Sequence, residues 1–368
     1  MHKFNIKTMD NSYFLLTNKS TPISIERFQV YSWEFKNKSA LIEFGCEVNA
    51  SDCNNLNEIT IELYVPWLSQ NCNVVDLYEN LKDSANSKFI FNESVRSVIP
   101  LDDGQNSNGV IHEFIGRSLC IIPVTINKIL SKKLLAVKID LNYYHKRANN
   151  NNNTKPNIYF RFYLEPSVSE ISTRKTGISK STIIYDIKIN EKRNLPDYLF
   201  QDLKTKDFCK ILTCFYLNVV PNSFELTFLD NTTLKSVRTL EYESFNRYLK
   251  DKRVEKNELL VIFNKKEARP NDNQPSYSFF SIFHKERIGA GQFALAIMIN
   301  LVCGILLFIP AFREQNNLTL TKSILSKLPI ELYLAFGIGL VLIIYFIWPS
   351  ICLILKSSYL RINKRGEI

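Results

Sequence analysis

Two long stretches near the C-terminal end of this 368-residue chain carry no charged residue, and they constrain everything else about it. The first covers residues 288–312 (IGAGQFALAIMINLVCGILLFIPAF) and the second residues 332–355 (LYLAFGIGLVLIIYFIWPSICLIL). Lipid offers no partner to a backbone N–H or C=O, so a segment that crosses it singly must be helical. At a rise of 1.5 Å per residue the first stretch reaches about 37 Å, enough for a hydrocarbon core of about 30 Å. A core helix of a soluble protein rarely runs this far without a polar face. The spacing therefore predicts a transmembrane hairpin: helices over 288–312 and 332–355, a connecting loop over 313–331 and a basic tail over 356–368. Tyr333, Tyr345 and Trp348 lie toward the ends of the second stretch, where amphipathic rings favour the headgroup zone. Pro310 and Pro349 sit near the C-terminal ends, where a helix stops at low cost.

Orientation follows from the flanking charges. Lys285 and Arg287 precede the hairpin, and Lys356, Arg361, Lys364 and Arg365 follow it, against Arg313, Lys322 and Lys327 in the loop. Six positives against three place both termini in the cytosol and the loop on the far side. The opening residues, MHKFNIK, contain no apolar core of a cleavable leader, which agrees with a cytosolic soluble region. Two amides interrupt the first stretch, Gln292 near its start and Asn300 near its centre. An amide in hydrocarbon needs a partner, found on a neighbouring helix or a sister subunit, or serves as pore lining. Ala290 and Ala294, and Ala335 and Gly339, are pairs of small residues four apart, a spacing that lets helices pack closely.

Before the hairpin the dominant period is two. Ile42, Phe44, Cys46 and Val48 alternate with Glu43, Gly45 and Glu47. Comparable alternation runs through 59–65, 135–143, 158–164, 183–189 and 224–228, with further strands expected over 28–35, 89–91, 212–220, 259–263 and 277–283. Such segments read as antiparallel strands with one buried and one wet face. Asp230-Asn231-Thr232-Thr233 is a tight turn and 148–156 a polar hairpin tip, so the region is expected to be a β-sandwich or barrel-like fold. Partial helical periodicity predicts short helices over 195–210 and 240–252. The polar stretch 167–180 suggests a linker dividing a β-domain, 1–166, from a smaller one, 181–285; a single domain with that stretch as an internal loop is the alternative. The last strand ends only a few residues before the hairpin, so the two are directly coupled.

Composition narrows the function. The net charge of +10 is spread along the chain with no basic arm, so a nucleic-acid partner is not expected. The 8 cysteines have no framework spacing, and two lie inside the apolar stretches, which favours buried thiols over disulfides. Sequons start at Asn18, Asn37, Asn49, Asn92, Asn152, Asn231 and Asn317, a frequency that follows from the heavy use of Asn. No phosphate-binding loop, dinucleotide fingerprint, nucleophile elbow or metal-ligand spacing occurs, so neither catalysis nor a cofactor or metal is expected. Tyr64, Trp67, Tyr143, Tyr159, Arg161 and Tyr163 form a candidate aromatic binding surface on the wet faces of the strands; ordinary cross-strand pairing is the alternative. The expected protein is a two-pass membrane-anchored, non-enzymatic module whose β-rich region binds or senses a protein or small ligand. Its partners are the bilayer and a sister subunit through the hairpin. One alternative is a membrane-disrupting effector of the kind used in antiviral defence. The other is an enzyme working at a membrane surface.

Overall fold

In the computed structural model the described residues are 11–315, apart from 55, 103–107, 149–154, 177–179, 231, 257–258, 270–271, 273 and 287–289, together with 333, 337, 339–341 and 344. The strands are β1 (Ser12–Asn18), β2 (Ser24–Glu34), β3 (Ala40–Val48), β4 (Glu58–Tyr64), β5 (Val74–Asp76), β6 (Ser97–Pro100), β7 (Val110–Glu113), β8 (Ser118–Ile121), β9 (Thr125–Ile129) and β10 (Leu134–Asp140). They continue with β11 (Asn157–Leu164), β12 (Thr173–Thr176), β13 (Lys180–Ile189), β14 (Lys206–Phe208), β15 (Lys210–Pro221), β16 (Glu225–Leu229), β17 (Leu234–Thr239), β18 (Leu259–Glu267) and β19 (Tyr277–Glu286). The helices are α1 (Tyr78–Leu81), α2 (Ser84–Phe91), α3 (Asn142–Ala148), α4 (Val168–Ile171), α5 (Tyr242–Leu249) and α6 (Ala290–Gln315).

The strands form two sheets. The first runs β16-β19-β13-β1-β4-β10-β9, with β12 beside β13 and β14 beside β1; the second runs β17-β18-β15-β2-β3-β11-β8-β7-β6, with β5 beside β11. One apolar core unites them. It takes Tyr13, Leu15, Ile59, Ile61, Leu63, Leu135, Val137, Ile187 and Phe279 from the first sheet, and Phe28, Val30, Ile42, Phe44, Phe160, Phe162 and Tyr216 from the second. Alternation explains this packing: in the strands that supply this core every second residue is apolar and faces the opposite sheet. The mainly β character read from the sequence is therefore what the chain adopts.

Several finer expectations are corrected. The sheets are mixed, because β1 and β13, β11 and β8, and β15 and β2 pair in parallel. Both sheets take strands from both sides of residues 167–180, and one compact unit gathers residues 1–176 and 181–285. That stretch supplies α4 and β12. Residues 89–91 end α2, not a strand: Asp83 caps the helix by accepting from the Ala85 N–H at 2.9 Å, and Asn92 closes it in the left-handed region. Strand β10 stops at Asp140, and Tyr143 stands on α3. Most of 195–210 is short 3-10 turns and β14, since Pro196 and the polar spacing break the period before a helix can nucleate; α5 does lie within 240–252.

The second sheet also has no wet face at its centre. Strand β3 is buried along its whole length. Helices α1, α2 and α5 cover the side opposite the sandwich core, packing Leu77, Tyr78, Leu81, Phe91, Phe245, Tyr248 and Leu249 against Tyr31, Trp33, Leu41 and Tyr159. Trp33 meets Phe245 edge-on, with ring centroids 5.0 Å apart. The outer face of the first sheet is partly covered where Leu195, Leu199 and Phe208 pack on Phe14, Leu16, Tyr64 and Leu134.

Helix α6 belongs to a second unit, which gathers residues 177–180 and 286–368. Its side chains are described without interruption only over 295–305, and among the described residues no helix is long and apolar enough to cross a membrane. The expected loop 313–331 lies outside the described residues except for its first three, and the tail 356–368 lies wholly outside them. The second apolar stretch is described only at 333, 337, 339–341 and 344, all helical. A methyl group on Gly339 would sit 3.4 Å from Leu301 Cδ2, an ordinary contact distance.

Candidate functional site

Two features stand out from the ordinary core: a closed cluster of charge beneath the helices, and a side of the sandwich whose strand edges are open. The first arises from the polar halves of β2, β3 and β11. Register aligns Gln29, Gly45 and Arg161 in one row across these strands and Tyr31, Glu43 and Tyr163 in the next. With α5 laid over them, Glu43 and Arg161 have side-chain exposures of 0%, and Arg161 Nη2 lies 2.6 Å from Glu43 Oε2. Arg161 Nε donates to Glu43 Oε2 at 2.7 Å, and Nη1 donates to Gln29 Oε1 at 2.9 Å. Glu43 also accepts from Trp33 Nε1 at 2.6 Å and from the Tyr248 hydroxyl of α5 at 2.9 Å. Tyr159 donates to Gln29 Oε1 at 2.6 Å, and the guanidinium carbon stands 3.9 Å from the Tyr31 ring centroid.

Gly45 makes room for this arrangement. A Cβ there would fall 2.4 Å from the Tyr159 hydroxyl and 3.1 Å from Arg161 Nη1. Burial works against the charge on Arg161, but Tyr248 and Glu43 outweigh it and raise its pKa. Burial likewise pushes up the phenols of Tyr31, Tyr159 and Tyr248. Glu43, with no exposed side-chain surface and engaged by Arg161, Trp33 and Tyr248, is closed to a substrate. The cluster thus fixes α5 on the sheet.

The aromatic surface expected from the sequence does not form, for a physical reason: its members fall on different faces. Tyr159 and Arg161 are buried beneath α5, and Tyr163 is half-buried beside them. Tyr64 is buried on the outer face of the first sheet. Trp67 packs on the sandwich core and donates to the Tyr13 hydroxyl at 3.1 Å. Only Tyr143, on α3, is exposed, with Lys146 Nζ 5.2 Å from its ring centroid. Asn300 is exposed on α6. The side chains of Gln292, Ala290 and Ala294, and residue Ala335 altogether, lie outside the described residues. Among the described residues the six cysteines of the β-region are buried and free, and no group of side chains is placed to hold a metal ion.

Sequence reasoning did not single out the second feature. Among the described residues β16 and β17 end their sheets with a neighbour on one side only. They are consecutive strands joined by the Asp230 turn, in which Asp230 Oδ1 accepts from Thr232 N–H at 3.1 Å, so both open edges lie on the same side of the sandwich. Leu226 pairs with Phe283 and Val237 with Ile262, both core residues. Leu226 and Val237 therefore line the mouth of the inter-sheet core, yet they are 37% and 47% exposed. Phe228 and Phe280, on the outer face, are exposed together with ring centroids 5.9 Å apart. The opposite edges are blunted. Strand β6 is four residues ending in Pro100, and Lys128 of β9 reaches back to the Gln70 carbonyl at 3.1 Å. The legible signal was Leu226, Phe228, Leu234 and Val237, apolar residues on short segments between turn residues.

No family model matches this chain. No curated protein matches it either. Among solved structures it is similar to the Fcho1 mu homology domain of Danio rerio with a bound Eps15 peptide, at 6% identity and a TM-score of 0.12 over 71% of this chain and 79% of that one. A likeness that slight carries no argument about fold or function.

One buried base has a measurable consequence. His112 on β7 is 0% exposed, and its Nε2 lies 3.2 Å from the Lys82 carbonyl, to which it donates. Among the described residues its Nδ1 has no hydrogen-bond partner. Burial lowers its pKa from 6.5 to about 4. Above pH 6.5 both folded and unfolded chains hold a neutral ring; between 6.5 and about 4 only the unfolded chain takes the proton. Stability is expected to fall across that window by about 3 kcal/mol more than in a His112→Phe variant. Asp76, whose carboxyl burial raises to about 6, acts in the opposite sense in both proteins and cancels in the comparison. Urea midpoints at pH 7 and pH 4.5 check this, and parallel pH profiles for the two proteins would refute it.

Proposed function

We propose that the chain is a two-pass membrane-anchored, non-enzymatic binding module: residues 288–355 form the anchor, and the β-region presents its open side to a partner. The exposed residues of α6 carry the anchoring half. Ile297, Ile299, Val302 and Leu307 are 51%, 53%, 47% and 77% exposed, so the helix turns bulky apolar side chains outward between residues 297 and 307. Leu340, Val341 and Ile344 do the same in the second stretch. Such surfaces suit lipid and are strongly unfavourable in water, at about 25 cal/mol per Å² of apolar area. Approach of Gly339 to Leu301 supports close packing of the two segments. The Lys and Arg asymmetry supports cytosolic termini. The binding half rests on the exposed apolar residues and unpaired edges of β16 and β17. Carbonate extraction tests the anchor. The full chain should stay with the membrane pellet, and recovery in the supernatant would remove this reading.

One observation favours a membrane-perturbing effector as the second reading. Asn300 is exposed near the middle of α6, where an amide facing lipid is unfavourable unless copies associate around it. In that case vesicles bearing the chain release entrapped dye and Asn300→Leu suppresses the release. A hairpin that only anchors releases none.

A further inference from the structure

The open side of the sandwich is suited to one occupant above others. Its two edges differ in charge: β16 carries Glu225 and no base, whereas β17 carries Lys235 and Arg238 and no acid, although Arg238 also meets Glu241 beyond the strand at 2.9 Å. They are nearly equal in length, Glu225–Leu229 against Leu234–Thr239. Between them Leu226 and Val237 leave the mouth of the core uncovered. A two-fold operation that exchanges the sheets sets β16 of one copy against β17 of the other, and makes the reciprocal contact in the same step. Both contacts bring acid toward base, and Leu226 and Val237 of each copy cover those of the other. The alternative two-fold, which would set β17 on β17, faces Lys235 and Arg238 with their own copies and is opposed by like charge. Lipid hydrocarbon offers no hydrogen bonds to an open backbone edge, whereas a strand satisfies the edge and the apolar mouth together.

We infer that this side is a self-association face on which β16 of one copy pairs with β17 of a second copy, extending both sheets through a two-fold dimer. The inference rests on the binding half of the proposed function, whose partner it names, and not on the anchor.

Cross-linking tests it in the full chain in its membrane. In a Cys303→Ser, Cys352→Ser background, Thr227→Cys and Thr239→Cys are expressed separately and together, then treated with a short bis-maleimide. Thr227 and Thr239 are exposed and polar. Co-expression should give a dimer band at least fivefold stronger than either variant alone. Reversing β17 with Lys235→Glu and Arg238→Glu should remove most of that band, and adding Glu225→Lys should restore it. These are exposed positions, so an unchanged melting temperature is expected to accompany the loss. Absence of a band on co-expression overturns the inference. So does a band of equal strength from either single variant, which would mean that like edges meet. Protection of Thr227→Cys from a small maleimide without any dimer band also overturns it and assigns the face to lipid or to another protein. Carbonate extraction of the same samples reports the anchor separately, so the two proposals fail independently.

Discussion

Replacing Arg161 with leucine is expected to destabilise the β-region by about 3–5 kcal/mol, a large part of the 5–15 kcal/mol that holds a typical domain folded. The reason is what remains behind. Glu43 is wholly enclosed, and without the guanidinium its charge keeps only Trp33 Nε1 and the Tyr248 hydroxyl as partners. Gln29 Oε1 loses one of its two donors, and the Tyr31 ring loses the cation stacked 3.9 Å from its centroid. A second substitution, Glu43→Gln, removes the uncompensated charge, so the double variant should recover a substantial share of the loss despite carrying one more mutation. Arg161→Lys should fall between the two, because an ammonium lacks the planar fork that meets Glu43 and Gln29 together. Urea denaturation followed by tryptophan fluorescence reports all three, with Trp33 in the cluster as a local probe. A loss below about 1 kcal/mol for Arg161→Leu would show that water or rearrangement screens Glu43, and that the cluster does not pin α5.

Ending the chain after Lys285 is expected to move the protein from the carbonate-washed pellet to the supernatant while leaving the β-region folded. The first compact unit closes on itself, with Tyr277, Phe279 and Phe283 of β19 buried in its cores. Nothing after that strand is required to complete either sheet among the described residues. The removed part includes two uncharged stretches whose transfer into lipid provides the affinity. The effect should be close to all-or-none, with unfolding midpoints of the β-region within about 1 kcal/mol of the full chain. A truncated chain that still pellets would place the membrane contact in the β-region. One that unfolds would show that the two units depend on each other.

Much of the β-region was legible because strands announce themselves by alternation. The segments 42–48, 158–164 and 183–189 lie within β3, β11 and β13, and the Asp230 turn is where Asp, Asn and Thr place it. Short strands without two full periods, such as β5, β6 and β14, left no comparable mark. The candidate sites were much less legible. Glu43, Gly45 and Glu47 look like a solvated face in any window of sequence, and so do Tyr159, Arg161 and Tyr163.

What the sequence by itself determined is the set of strands whose residues alternate, and the two uncharged stretches that follow them, since both depend on neighbours a few residues away. Tertiary structure alone decided which strands pair, which run parallel, and what covers each face. Alternation sorts side chains onto two sides but says nothing of what lies beyond either one. Only when α5 closes over β3 and β11 do Glu43 and Arg161 become a buried pair, and only the end of the strand order leaves β16 and β17 open. The buried pair depends on contacts between residues more than a hundred positions apart, which no local pattern encodes.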